Sequence, residues 1–186
     1  MIANNRQAPR IFDSPDTAML EVQLLSNGRY HVMVTSAGGG YSRWKNLAVT
    51  RWCDDATCDN WGPFCYIRDV ASGDVWSTAY QPTLQRADAY EVMFAMGHAA
   101  FRRRDGDIET HTVIAVSMED DVEVRRVRIT NGSLARRAFD MTSYAEIVLA
   151  PPATDSAHPA FNKRGRGEIM RCTRVTSLAR SSRTQT

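Results

Sequence analysis

The sequence has no long apolar run. Nothing in it approaches the roughly 18 to 20 residues that a membrane-spanning helix needs. The opening stretch MIANNRQAPRIFDSP has no apolar core of the kind a signal peptide carries. Export is therefore not expected. Metal-site spacing is missing as well. His31, His98, His111 and His158 form no His-x-His or Glu-x-x-His pattern. Cys53, Cys58 and Cys65 are spaced C-x4-C-x6-C without a matching second half, and Cys172 stands apart. That is not a zinc spacing. The cysteines read instead as reduced thiols of a cytoplasmic protein. No G-x-G-x-x-G opens a helix and no phosphate-loop lysine follows a glycine run, so nucleotide fingerprints are absent. Ser36 and Ser42 lack the strand–turn–helix setting of a nucleophile elbow. Neither a metal nor a cofactor is expected, and no sustained helical period is found.

What is present is globular and β-rich. The chain has 186 residues, 43% apolar and 24% charged, enough for one domain with a core. The net charge of +2 is unevenly spread. Seven basic residues and one acid give 163–186 a charge of +6, which leaves −4 on 1–162. A basic tail can bind phosphate polymers, but a solvated end is the plainer reading, and no nucleic-acid partner is expected.

From Glu21 onward the dominant pattern is alternation. RYHVMVT (29–35) puts Tyr30, Val32 and Val34 on one face and His31 and Met33 on the other. FCYIRD (64–69), AYEVMFAM (89–96), IETHTVIAVS (108–117), VEVRRVRIT (122–130) and AFDMTSYAEIVLA (138–150) follow the same rule. A period of two marks half-buried strands. The doubled Arg125–Arg126 breaks the period and suggests a bulge. Ser72-Gly73-Asp74, Asp105-Gly106-Asp107 and Asn131-Gly132 read as hairpin turns. RRR (102–104) reads as a charged guard on an edge strand. The expected fold is an all-β antiparallel sandwich over 20–163. Residues 1–19 are expected to be poorly ordered. Residues 164–186 are expected to be a disordered basic tail or a frameshifted stretch.

Two stretches could carry function. SAGGGYSRW (36–44) holds Gly38, Gly39 and Gly40 beside Tyr41 and Ser42. A hairpin needs only one or two such glycines, so the third calls for a close approach by backbone, partner or ligand. Tyr41 and Trp44 suit the C–H faces of sugar rings and equally suit a sandwich core. TRWCDDATCDNWGPFCYIRD (50–69) mixes Arg51, Asp54, Asp55, Asp59, Arg68 and Asp69 with Trp52, Trp61 and Tyr66. These groups can fork onto sugar hydroxyls or phosphate, or simply form turns and surface ion pairs. A hydrolase using Asp54, Asp55 or Asp59 is a minor alternative.

Three blocks then carry a resemblance: LLSNGRYHVMVTSAGGGYSRWKNLAVTRW (24–52), GPFCYIRDVASGDVWS (62–77) and RRVRITNGSLARRAFDMTSYAEIVLA (125–150). In order, they resemble the N-terminal β-super-sandwich domain of the inverting glycoside phosphorylases. That family includes cellobiose and chitobiose phosphorylases. The similarity is strongest to the phosphorylase-like region of cyclic β-1,2-glucan synthase.

The resemblance implies a partial super-sandwich that packs on an (α/α)6 barrel, which this chain does not contain. In the family the barrel supplies the catalytic acid and inorganic phosphate is co-substrate. No catalytic residue is therefore assigned, and the chain alone is expected to be inactive. The matching positions Gly38, Gly39, Gly40, Tyr41, Ser42, Arg51, Arg68, Asp69 and Trp76 are the substrate-proximal candidates. The implied partners are a β-glucan or oligosaccharide, the barrel, and a second copy in a homodimer. The implied place is the cytoplasm, with the parent synthase held at the inner membrane by other regions. A free-standing carbohydrate-binding module and an assembly piece without sugar binding remain alternatives.

Overall fold

A computed structural model describes residues 8–17, 19–53 and 59–152, and the backbone of residues 168–177. The described residues form thirteen strands. They are β1 (Arg10–Phe12), β2 (Val22–Ser26), β3 (Tyr30–Thr35), β4 (Gly40–Trp44), β5 (Leu47–Thr50) and β6 (Phe64–Asp69). β7 (Val75–Ser77), β8 (Ala89–Ala95), β9 (His98–Asp105) and β10 (Ile108–Val116) follow. β11 (Glu123–Asn131), β12 (Arg137–Ala150) and β13 (Glu168–Ser177) complete the series. Five strands form one sheet in the order β1-β8-β9-β10-β11. Eight form the other, in the order β2-β3-β4-β5-β12-β6-β7 with β13 also on β12. Every pairing is antiparallel.

The alternation explains the packing. Leu25, Val32 and Val34 from one sheet meet Val92, Phe94, Phe101 and Ile114 from the other, all almost completely buried. Each such side chain contributes roughly 1.5–3 kcal/mol by leaving water. A second cluster joins Ile67, Trp76 and Phe139 to Ile108. The two clusters clamp the sheets together in sandwich fashion.

β12 is the spine of the larger sheet. β13 pairs with Arg137 to Glu146 in an unbroken register. β6 pairs with Phe139 to Tyr144, and β5 meets Ile147 and Ala150 across a bulge. Leu149 takes a left-handed φ of 52° within that bulge. The amides of Arg51 and Val70 donate to the carbonyls of Glu146 and Ala138. Those carbonyls lie an even number of residues apart and so face the same edge. β5 and β6 therefore follow one another along one side of β12, and the chain leaves that edge between 51 and 63.

Several expectations change. The register of β10 with β11 is continuous from Ile108↔Asn131 to Val116↔Glu123, so Arg125–Arg126 makes no bulge. Arg125 simply takes an inward position, where it meets the Glu123 carboxylate and the Pro63 carbonyl. Asn131-Gly132 is not a hairpin turn, because β11 and β12 lie in different sheets. Its side chain accepts from the Ser133 amide and donates to the Ala135 carbonyl, bracing a crossover. β9 is central, and Arg103 is 0% exposed rather than a solvated guard. Its guanidinium forks onto Asp105 at 2.7 Å through both Nε and Nη2, and Nη1 reaches the Ala79 carbonyl.

At the N-terminus, β1 pairs with β8, and Phe12 stacks edge-to-face on Phe94 at 5.5 Å. The stretch expected to be a loose tail contains β13. Ten backbone pairings with β12 hold it, a long-range partner that local pattern cannot reveal. The Ser72-Gly73-Asp74 and Asp105-Gly106-Asp107 turns do join paired neighbours, β6–β7 and β9–β10.

Candidate functional site

The glycine turn between β3 and β4 is built for close approach by the protein itself. Gly38 and Gly40 have φ of 97° and 143°, which side-chain-bearing residues rarely adopt. A Cβ on Gly38 would strike Ala79, one on Gly39 would strike Asp59, and one on Gly40 would strike the Met33 carbonyl. All three glycines are buried. The Gly39 amide donates to Thr35 Oγ1 at 2.9 Å, and the Gly40 amide donates to the Trp61 carbonyl at 2.8 Å. The Asp59 carboxylate accepts from the Thr35 hydroxyl. Burial pushes the Asp59 carboxyl up to about 6, against the opposing hydrogen bonds from Thr35 and Gly39. The turn thus serves as a seat for the segment 59–62.

That segment forms one wall of a cleft of about 290 Å³. Asn60, Trp61 and Gly62 line it from the excursion, Phe64 and Tyr66 from β6, and Pro82 from the loop after β7. Tyr144 and Glu146 of β12 and Arg51 close it. Arg51 is only 7% exposed, and its Nη1 donates to Glu146 Oε2 at 2.9 Å. The Tyr144 hydroxyl donates to Glu146 Oε1 at 3.2 Å. Tyr66 and Tyr144 meet edge-to-face with ring centres 6.5 Å apart. Partial burial raises the Tyr66 phenol above its ordinary value. Aromatic walls around a few fixed polar groups are the usual make-up of a small-ligand site.

The remaining candidates separate from this cleft. Ser42 points inward, with its hydroxyl on Glu123 at 2.5 Å and its amide on Thr50 Oγ1 at 2.9 Å. Tyr41 lies half-buried on the other face of β4, edge-to-face with Trp52 at 5.4 Å and under the Arg43 guanidinium at 4.4 Å. Arg68 is exposed and pairs with Asp140 at 3.0 Å. Asp69 is 1% exposed. Burial pushes its carboxyl up, but the Arg137 hydrogen bonds and the amides of Ala71 and Ser72 outweigh that and hold it below its ordinary value. Trp76 packs on Phe139 at 6.2 Å in the second core cluster. Asp69 and Trp76 line a separate, polar cleft of about 380 Å³.

The structure thus joins Gly39, Gly40 and Arg51 through one segment, sets Gly38 against Ala79, and gives Ser42, Asp69 and Trp76 internal partners. Asp54 and Asp55 lie outside the described residues. Sequence reading missed Glu146, Tyr144, Phe64 and Pro82. Tyr144 and Glu146 sit two apart in the β12 run and share a face, which was the available signal. Among the described residues no three His, Cys, Asp or Glu side chains gather as a metal site. No helix among them is long and apolar enough to cross a membrane.

Comparison with known families agrees with this architecture. Residues 6–184 match the family described as glycosyl hydrolase 94, supersandwich domain. The chain belongs to this family. The match continues past Lys163, so family character does not stop where the strand pattern fades. The domain is 38% identical over 179 residues to the cyclic beta-(1,2)-glucan synthase NdvB of Rhizobium meliloti (strain 1021), covering 96% of this chain and 6% of that protein. It is 26% identical over 158 residues to the N,N'-diacetylchitobiose phosphorylase of Vibrio furnissii, covering 82% and 20%. It is 28% identical over 98 residues to the solabiose phosphorylase of Paenibacillus borealis, covering 53% and 13%. The supersandwich domain therefore spans a small part of each of these relatives.

Proposed function

We propose that this supersandwich domain is the non-catalytic, carbohydrate-contacting part of a cyclic β-1,2-glucan synthase-like protein. The observation that carries this reading is the aromatic cleft closed by Arg51, Tyr144 and Glu146. Flat rings meet the C–H faces of sugars, and fixed donors and acceptors meet their hydroxyls. The parent's barrel would hold the catalytic acid and use inorganic phosphate. This domain would present the glucan from the cytoplasmic side.

Titration with β-1,2-linked gluco-oligosaccharides, followed by tryptophan fluorescence, tests the reading. Saturable binding is expected in the wild type, at least about fivefold weaker in Trp61→Ala, because one aromatic contact is worth about 1 kcal/mol or more. No sugar phosphate should be released when phosphate is added. Release of sugar phosphate would overturn the non-catalytic assignment.

A second reading is an assembly piece. The row Leu24, Met33 and Tyr41 crosses β2, β3 and β4 on one face, and Leu24 is 68% exposed. Such a face fits a barrel or a second copy. Lack of sugar binding together with concentration-dependent oligomers would favour it.

A further inference from the structure

The outward face of the five-stranded sheet gathers positive charge that the protein itself leaves unanswered. Several arginines elsewhere meet carboxylates, as Arg10 meets Glu21, Arg29 meets Asp121 and Arg68 meets Asp140. Arg104, Arg126 and Arg128 are exposed, and none of them has a carboxylate partner among the described residues. The strand register sets them on one face, because alternate residues of a strand point the same way. Arg128, His111, Arg102 and Glu91 form one row across β11, β10, β9 and β8. Arg126 starts the row on one side of it, and Glu109 and Arg104 lie in the row on the other side. Arg102 is already engaged, with Glu109 at 3.6 Å. Burial, then Arg102, Arg126 and Arg128, hold the His111 imidazole below its ordinary value, against the opposing pull of Glu109.

We propose that this face docks an acidic segment of a partner protein, with Arg104, Arg126 and Arg128 taking its carboxylates. A guanidinium presents two parallel donors that match the two oxygens of a carboxylate. The row that Arg126 starts runs on through Val113, Ala100 and Met93 to Ile11, which is 59% exposed. That row offers an apolar strip to the segment's aliphatic side chains, beside the charges. β10 has nine residues, so the face is about 30 Å long and has room for an extended segment of similar length. The charge pattern selects among partners. Two copies of this face would set arginine against arginine, which disfavours self-pairing through it. A continuous anionic lipid surface would press on Glu91 and Glu109, both exposed. A polypeptide places its carboxylates at the three arginines and leaves those glutamates to water. The face belongs to the other sheet from the cleft, so it does not depend on the carbohydrate reading.

Calorimetric titration with a synthetic peptide of about ten residues, alternating Glu and Ala, tests this. Its Gln and Ala counterpart and phosphatidylglycerol vesicles are the controls. The proteins are the wild type, the face variant Arg104→Gln/Arg126→Gln/Arg128→Gln, and Arg43→Gln/Lys45→Gln/Arg136→Gln, which removes the same charge from other surfaces. Circular dichroism checks that each folds. The wild type should bind the acidic peptide and not its Gln counterpart. Binding should weaken at least about tenfold in the face variant and by less than about twofold in the charge-matched one. A second readout needs no variant. Proton NMR of the His111 ring in the wild type should show its titration midpoint rise when the acidic peptide is added, because carboxylates then offset the surrounding arginines. An acidic peptide that does not bind, or that leaves His111 unmoved, overturns the proposal. Equal weakening in the two variants does the same, since the peptide then follows net charge and not this face. Binding of vesicles without binding of the peptide overturns it in favour of a lipid surface.

Discussion

At the scale of single residues, the glycine turn separates two kinds of demand. Gly28 and Gly40 both have positive φ, at 88° and 143°. Nothing lies within 4 Å of a Cβ placed on Gly28, whereas one on Gly40 would run into the Met33 backbone. Gly28→Ala should cost about 1–2 kcal/mol, the backbone term alone. Gly40→Ala should cost at least about 3 kcal/mol, because a β-strand neighbour must move as well. Urea denaturation of the two variants gives the comparison directly, and equal costs would show that packing at the turn is loose.

Asp59 imposes a pH dependence on the same place. Its carboxyl is raised from 3.8 to about 6 in the folded protein. The folded state thus holds the proton more tightly than the unfolded chain. The group's contribution to stability is full below about pH 4 and is lost as pH rises through about 6. Asp59→Asn should flatten the stability profile across that window and keep a hydrogen bond to Thr35. Thermal melts at intervals between pH 4 and 7.5 read it, and an unchanged slope in the variant would assign the dependence elsewhere.

At the scale of elements, β12 and β13 make the clearest case. β13 covers the β12 edge over the whole span from Arg137 to Glu146. Removing residues 164–186 should strip that edge. The amides of β12 that point to β13 should exchange with solvent at least about tenfold faster, while those facing β6 keep their protection. The bared strand should also promote self-association, visible by light scattering. Unchanged exchange along β12 would mean that β13 contributes little in solution.

Strands with a clean period of two were legible from sequence, because alternation records which face is buried. β3 and β6 fall where the pattern places them. What failed were decisions made by distant partners. Arg103 reads as one of three surface arginines until Asp105 and the Ala79 carbonyl surround it. Asn131-Gly132 has hairpin chemistry, yet the next strand joins the other sheet. β13 has mixed composition and owes its place chiefly to its pairing with β12. The candidate site was legible by half. Arg51 and the glycines stood out for charge and rarity, whereas Glu146 and Tyr144 lay inside an ordinary strand.

At the scale of the whole molecule, two sheets share the work unequally. The five-stranded sheet is a plain meander from β8 to β11, with β1 added at one edge. The eight-stranded sheet carries the cleft, the glycine seat and the long spine of β12. The buried Arg103 links them, since it reaches from β9 to Ala79, the residue that packs on Gly38. Deformation at the cleft wall is thereby resisted from the opposite layer of the sandwich.

The arrangement of β5 and β6 along one side of β12 has a further consequence for how such a domain can diversify. A strand running straight from 47 to 69 would complete the sheet edge without any cleft. The stretch from 51 to 63 is in effect a parenthesis in that strand, opened and closed by the same neighbour. Its length and wording can change while the sheet on either side keeps its register. The outline of the cleft wall can then change as a surface loop does, on a scaffold that never has to be rebuilt.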